Sequence, residues 1–403
     1  MSNFIPYGRH HIGEDDIEAV VGVLRSDNLT GGPVVEDFEE AFADRVGAKY
    51  AIAVSSGTAG LHLASVVLGL TKESFVIVPT VTFLATANAP AYCGANIVFA
   101  DVNKDTGLMG PSELEEAFER AGGRVEAVFL VHLNGQTSDL QAIKSVCDAH
   151  GTKIIEDACH ALGGEYQTSD DCWHPVGSCK HSDMAVFSMH PVKNIAMGEG
   201  GMITTNEYRL ARLLRNFRNH GLIREPEDFE NKDLAFDSKK NPNPWYYEMQ
   251  HLGYNYRASA IHCALGRSQL RKLDRFILRR REIANAYEKA LEPLASVIKP
   301  IPCAPRSRHA WHLFVVHINQ SKLAMSRADL MNHLRKKGIG TQVHYRPVHT
   351  QNYYQRNGAA DISCPSAEAY YTSCLTLPLF SDPSAEYLPS RVTETLQDII
   401  KNE

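Results

Sequence analysis

The chain has 403 residues, of which 44% are hydrophobic and 22% charged, with a net charge of −6. This length supports more than one hydrophobic core, and the composition is that of an ordinary globular protein, which excludes a disordered or fibrous chain. The acid excess excludes general affinity for nucleic acid, and no apolar run approaches the roughly 18 residues of a membrane helix. The opening MSNFIPYGRHHIGEDD has no apolar signal core, so a cytoplasmic location is expected.

From Lys49 to about Asn206, short apolar runs alternate with longer amphipathic stretches. Ala51–Val54, Phe75–Val78, Ile97–Ala100, Ala127–His132, Lys153–Glu156, Met184–Ser188 and Gly201–Thr204 read as strands. Ala59–Gly69, Thr86–Cys93, Ser112–Ala121 and Leu140–His150 read as helices. Such alternation predicts βαβ units and an α/β fold around a mainly parallel sheet, with ligands at the carboxyl ends of the strands. Arg224–Tyr247, rich in charge and proline, reads as a surface excursion. Ser259 to about Leu294 reads as one long helical pattern. Its basic stretch Arg271–Arg281 is either a nucleic-acid patch or, given the acidic chain, a solvated helix face. Residues 295–403 alternate strands and helices again. The expected domains are a large one over 14–270 and a smaller α/β one over 271–403, the latter packed with the N-terminal arm 1–13.

Nine scattered cysteines in a chain this long do not form a secreted disulfide scaffold. Cys172, His174, Cys179 and His181 fall close together and offer zinc four soft ligands. Their C-x-H spacing is tighter than that of a zinc finger, and a plain surface loop is the preferred reading.

The markers of nucleotide hydrolysis, Rossmann dinucleotide binding and zincin chemistry are absent. Strand Ala51–Val54 instead runs into Ser55-Ser56-Gly57-Thr58-Ala59-Gly60 and a helix, small residues that let backbone N–H groups approach an anion. The alternative is simple helix capping. Asp157 closes the apolar strand of Ile154-Ile155-Glu156-Asp157. A carboxylate there either holds a nitrogen heterocycle in its cationic form or caps the segment from Ala158. Lys193 stands in Phe187-Ser188-Met189-His190-Pro191-Val192-Lys193, with Gly198-Glu199-Gly200-Gly201 beyond it. A lone lysine is most often a surface cation, but one desolvated in such a loop acts as nucleophile and base. An amine that condenses with an aldehyde, an acid that keeps a ring nitrogen protonated and a phosphate cradle together suit pyridoxal 5′-phosphate.

At these residues the sequence resembles the DegT/DnrJ/EryC1/StrS sugar-nucleotide aminotransferases, on the fold type I pyridoxal-phosphate scaffold. The resemblance runs almost end to end through LTGGPVVEDFEEAFA, VSSGTAGLHLA, PTVTFLATANA, VHLNGQ, EDACHALGGEY, FSMHPVKNIAMGEGG, LGYNYRASAIHCALGRSQL, GIGTQVHYRPVH and LTLPLF. HALGGEY, FSMHPVK, NPWYYEM and GTQVHYRPVH look closest to the branch that makes UDP-4-amino-4,6-dideoxy-N-acetyl-β-L-altrosamine for pseudaminic acid.

The resemblance implies roles. Lys193 matches the lysine that joins the cofactor and moves the proton; family dehydratases carry histidine there, so lysine favours amino transfer. Asp157 matches the partner of the ring nitrogen, and His160 lies near the cofactor's 3′ oxygen. Phe83 matches the aromatic stacked on the ring; without the resemblance it reads as a core residue. Gly57, Thr58 and Ser188 match the phosphate positions. Asn255 matches an asparagine that reaches the phosphate of the neighbouring subunit, which implies a homodimer with shared active sites. Tyr7, Asp27, Asn28, Leu29 and Thr30 match one sugar-nucleotide face, and Gln342, Val343, His344 and Tyr345 another; Arg257 suits the nucleotide phosphates. The expected substrates are L-glutamate and a UDP-linked keto-sugar. The rivals are a dTDP-linked substrate, a deoxysugar dehydratase, and a pyridoxal-phosphate-binding regulator without turnover. Met189, and Asn194-Ile195-Ala196-Met197 after the lysine, depart from the branch pattern.

Overall fold

The computed structural model describes residues 4–401. Seven strands form one sheet, in the spatial order Tyr50–Val54, Gly201–Thr205, Met184–Ser188, Lys153–Asp157, Ala127–Val131, Phe75–Pro79, Asn96–Ala100. Only Gly201–Thr205 runs against its neighbours, so the sheet is mainly parallel, as the alternation of strands and helices predicts. Helices cover both faces, which is why the strands read as continuous apolar runs rather than alternating ones. Phe38, Phe42, Phe187 and Leu273 fill the core on one side. Leu63, Val76, Phe129 and Leu214 fill it on the other.

The sequence places these elements to within a residue or two. Ser56 starts helix Gly57–Val67 as its cap, its Oγ accepting from the Ala59 N–H at 3.0 Å. That helix lies close on the sheet because Gly60 has no side chain: a Cβ there would stand 2.7 Å from Val186 Cγ1.

Two expectations need correction. The helical pattern from Ser259 is two helices, Ala260–Leu270 and Leu273–Leu291, broken at Arg271-Lys272. The apolar spacing continues through the break, so it does not show in the pattern. The stretch around Cys172–His181 is also not a plain surface loop. Trp173–Pro175 pairs with Glu165–Gln167, which pairs in turn with Ser307–Arg308. Cys179 is buried with its Sγ at 3.3 Å from the Thr204 carbonyl, and His181 Nδ1 meets the Tyr166 hydroxyl at 2.9 Å. His174 and His181 pack together against Tyr166, their ring centroids 5.8 Å apart, while Cys179 turns away into the core. Among the described residues, no three His, Cys, Asp or Glu side chains group to hold a metal.

A second sheet, Ile298–Pro300, Phe314–Ile318 and Cys374–Leu377, is antiparallel. It shares an apolar cluster with Ile283, Tyr287, Leu330, Leu396 and Ile5 of the N-terminal arm. The Gly340 N–H donates to the Ile5 carbonyl at 2.7 Å and ties that arm down. Between its last two strands the chain returns to the large sheet, where Val348, Tyr354 and Tyr370 join its cores. Residues 224–247 form the expected excursion, mostly exposed, around a small cluster of Ile223, Phe229 and Ala235. Among the described residues, no helix is long and apolar enough to cross a membrane.

Candidate active site

A cleft of about 550 Å³ opens at the carboxyl ends of strands Tyr50–Val54, Lys153–Asp157 and Met184–Ser188. Its lining joins residues far apart in sequence: Tyr7, Gly57, Thr58, Phe83, Asp157, His160, Ser188, Lys193 and Gln342–Tyr345.

At one end lies the start of helix Gly57–Val67. Ser56 satisfies the Ala59 N–H, while the N–H groups of Gly57 and Thr58 stand at the helix start, where the helix itself offers no acceptor. A Cβ on Gly57 would lie 3.0 Å from Ser188 Cβ and 3.1 Å from Cys159 Sγ. The backbone is therefore open to an anion only because this residue is glycine. Gly201 closes the same corner. It pairs across to both Val54 and Ser188, and a Cβ there would stand 2.7 Å from the Ser56 carbonyl.

Deeper in the cleft, Asp157 is buried, 6% exposed. Its Oδ2 accepts from the Thr86 hydroxyl at 2.6 Å, and its Oδ1 accepts from the Cys159 N–H at 3.2 Å. Both donors are neutral, and among the described residues no cation stands within ion-pair distance of it. A buried carboxylate of this kind has affinity to spare for a cationic N–H. Phe83 turns 55% of its surface to the cleft side and solvent. An aromatic face left open over a buried carboxylate suits a flat heterocycle.

Lys193 sits on the loop after Met184–Ser188, its N–H donating to the His190 carbonyl at 2.8 Å. The loop is pinned by Asn194, whose Nδ2 donates to the carbonyls of Leu162 at 2.9 Å and Ala310 at 3.1 Å. Ile195, Ala196 and Met197 are buried and serve as core. Desolvation pushes the Lys193 pKa below its usual 10.5, with the charges of Cys159 and Asp157 opposing. The shift raises the fraction of free amine near neutral pH, as a nucleophile requires.

Beside Lys193 lies a set of histidines. Burial first, then the charges of Lys193 and His344, push His160 well below its ordinary pKa. His344 is held to about 3 by burial and by Lys193; its Nδ1 meets the Thr376 hydroxyl at 2.7 Å.

The sequence-predicted residues fall into two groups. Tyr7, Gly57, Thr58, Phe83, Asp157, His160, Ser188, Lys193, Gln342, Val343, His344 and Tyr345 meet in the one cleft. Asp27, Asn28, Leu29, Thr30, Asn255 and Arg257 do not line it; all six are exposed. They lie together instead. The Ala260 N–H donates to the Leu29 carbonyl at 3.1 Å, Thr30 bridges Ser259, and the Arg257 Nε–H donates to Asn255 Oδ1 at 3.1 Å. Sequence reasoning missed Thr86 and Arg346, which the structure places at the cleft. Thr86 lies in the same PTVTFLATANA block as Phe83, but its partner Asp157 is a distant strand end that spacing alone does not connect.

A desolvated amine, a buried carboxylate bonded only to neutral donors and an open helix start, at the strand ends of a mainly parallel sheet, suit a pyridoxal-phosphate enzyme of fold type I. Comparison with known proteins agrees. Residues 10–397 match the model of the DegT/DnrJ/EryC1/StrS aminotransferase family. The chain belongs to that family and is a pyridoxal-phosphate-dependent sugar aminotransferase. It is 37% identical to the Bacillus subtilis spore coat polysaccharide biosynthesis protein SpsC, over 99% of this chain and 98% of that one. It superposes on Helicobacter pylori PseC, an aminotransferase of pseudaminic acid biosynthesis, with a TM-score of 0.86 at 26% identity over 99% and 100% of the two chains. It superposes on Bacillus subtilis NtdA, solved with bound pyridoxamine phosphate, with a TM-score of 0.78 at 27% identity over 96% and 82%.

Proposed function

We propose that the chain moves an amino group from L-glutamate to C4 of a UDP-linked 4-keto-6-deoxy-N-acetyl sugar, giving UDP-4-amino-4,6-dideoxy-N-acetyl-β-L-altrosamine for pseudaminic acid. The observation that carries amino transfer is the buried, neutrally bonded Asp157 in one cleft with the desolvated Lys193. The likeness to PseC supports the choice of sugar; SpsC, a spore coat polysaccharide protein, keeps other nucleotide sugars as the second reading.

Bound pyridoxal phosphate supplies a reactive aldehyde and a protonated ring that accepts electrons. The protein's residues do the rest. The N–H groups of Gly57 and Thr58, with the Ser188 hydroxyl, hold the phosphate. Asp157, steadied by Thr86 and the Cys159 N–H, holds the ring N–H by a charge-assisted hydrogen bond. Phe83 covers the ring face. Lys193 supplies the amine and then moves a proton as a base whose pKa burial has lowered.

The exposed group completes the proposal. Asn255 and Arg257 are exposed and do not line the cleft of their own chain, and before them in sequence stand Leu252, 82% exposed, with Met249 and Trp245 also exposed. A second copy covering this apolar face brings Asn255 and Arg257 to its own phosphates, so the working unit is a homodimer of shared sites. We assign residues 14–270 to the large domain and 271–403, with the N-terminal arm, to the small one. The cytoplasm, where nucleotide sugars are made, is its proposed location.

The test is incubation with glutamate and a panel of UDP- and dTDP-4-keto sugars, read by mass. An amino sugar from the UDP-N-acetyl substrate alone supports the reading. Amination of dTDP sugars alone moves it to the second reading, and glutamate-independent loss of water makes the enzyme a dehydratase.

A further inference from the structure

We propose that Arg346 is the anion clamp for the amino donor: its guanidinium holds a carboxylate of L-glutamate while the donor's amine reacts. The proposal rests on the amino-transfer reading above and names the residue that recognises the first substrate.

The charges of the cleft point to it. Among the residues that line the cleft, lysine and arginine occur once each, as Lys193 and Arg346. Lys193 is committed to the aldehyde, and its free amine carries no charge. L-Glutamate brings two carboxylates into a cleft whose own acids are Asp157 and Glu199. A carboxylate leaving water there needs a cation. Arg257 is exposed and does not line this cleft. Arg346 does line it, and among the described residues no carboxylate stands within ion-pair distance of Arg346.

One edge of the guanidinium is already held. The Arg346 Nε–H donates to Thr350 Oγ1 at 2.9 Å, and an Nη2–H donates to the Thr350 carbonyl at 2.5 Å. The Thr350 hydroxyl donates its own proton to the Pro347 carbonyl at 2.7 Å, so its oxygen is a settled acceptor. That turn is tied to the large sheet. The Val348 N–H donates to the Thr80 carbonyl at 2.8 Å, one residue past strand Phe75–Pro79. The remaining N–H groups, on Nη1 and Nη2, form the forked edge that matches the two oxygens of a carboxylate. A fork steadied from behind loses little freedom when it takes an anion.

Position favours the donor over the nucleotide. Phe83 and Tyr345 lie with ring centroids 6.1 Å apart. The residues that follow them, Leu84 and Arg346, both line the cleft and a hollow of about 460 Å³ that adjoins it. Arg346 therefore stands beside the seat proposed for the cofactor ring. An amino acid reacting there carries its carboxylates within a few bonds of the reacting carbon. The phosphates of a nucleotide sugar lie beyond a whole sugar ring.

The test follows the two half-reactions of the holoenzyme separately by single-turnover absorbance. Arg346→Gln is expected to raise the apparent Kd for L-glutamate about 30-fold, with the limiting rate little changed, as loss of a charge-assisted pair of hydrogen bonds predicts. Arg346→Lys keeps the charge without the fork, tests the same point in a more conservative variant, and is expected to fall between the two. L-Alanine, which lacks the second carboxylate, separates the two ways of holding the donor. A matching loss with alanine assigns the α-carboxylate, and a loss with glutamate alone assigns the side-chain one. An unchanged glutamate Kd in Arg346→Gln, or a loss found only in the sugar half-reaction, overturns the proposal. Calorimetric binding of glutarate, a dicarboxylate without an amine, reads the clamp free of turnover; equal affinity in wild type and Arg346→Gln contradicts it. The glutamate half-reaction needs no sugar. If the wild type reacts with glutamate but aminates no keto-sugar nucleotide, the sugar reading fails while the role of Arg346 is still decided.

Discussion

Replacing Asp157 by Asn isolates the charge of the cleft's one buried carboxylate. The variant keeps the size and most of the hydrogen bonding. Thr86 Oγ1 already stands 3.2 Å from the Phe83 carbonyl, so it can turn its proton there and accept from the new amide. The amide oxygen can still accept from the Cys159 N–H. Folding is therefore expected to survive, and the loss is electrostatic. A carboxylate about 3 Å from a ring cation, at an effective dielectric near 20, contributes about 5 kcal/mol. A neutral amide hydrogen bond returns about 1 kcal/mol. The difference of about 4 kcal/mol corresponds to roughly a 1,000-fold slower reaction with glutamate. The assay is stopped-flow loss of the cofactor's near-visible absorbance on mixing with glutamate, with a thermal melt to verify folding. A folded, cofactor-loaded Asp157→Asn enzyme within about 10-fold of wild type would refute the assigned role of the charge.

Other outcomes follow from the same geometry. Burial lowers the Lys193 pKa below 10.5, and a free amine exists above its pKa, so uptake of the aldehyde cofactor by the apoenzyme should rise with pH with a midpoint below 10.5; a midpoint at or above that value contradicts the desolvated amine. Arg280 is 1% exposed, its Nη1 donating to the carbonyls of Trp311 at 3.2 Å, His312 at 3.1 Å and Leu379 at 3.2 Å. Arg280→Ala strands those carbonyls and should cost about 3 kcal/mol or more in thermal or denaturant unfolding, whereas a loss under about 0.5 kcal/mol refutes the bridging role. Mixing Lys193→Ala and Asn255→Ala subunits should restore activity, since in the mixed dimer one site combines an intact Lys193 with the partner's intact asparagine; a mixture no more active than its components contradicts the shared site.

Much of the fold was legible because the seven-stranded sheet is buried on both faces, so strands such as Phe75–Pro79 and Ala127–Val131 stand out as apolar runs between amphipathic helices. Asp157 and Lys193 were legible for a related reason: Asp157 ends such a run, and Lys193 stands in the Pro- and Gly-bounded loop that follows another. What escaped is what depends on long-range contact or on weak local signals. The break at Arg271-Lys272 leaves the apolar spacing undisturbed. Cys179 reads like its neighbours Cys172 and His174, but the fold sends it into the core against Thr204. The pairing of His160 with Tyr345 spans 185 residues, and that of Thr86 with Asp157 spans 71; no local pattern records either. Nor does sequence show that Leu29 and Thr30 pair with Ala260 and Ser259, which follows only from contacts across more than 200 residues.

The central claim is that one amine, that of Lys193, receives the aldehyde of pyridoxal phosphate. Borohydride reduction of the holoenzyme, followed by proteolysis and mass spectrometry, locates that bond. The account predicts a single phosphopyridoxyl adduct on the peptide containing Lys193, absent from Lys193→Ala. An adduct on another lysine, or none in a protein that has bound the cofactor, would contradict it.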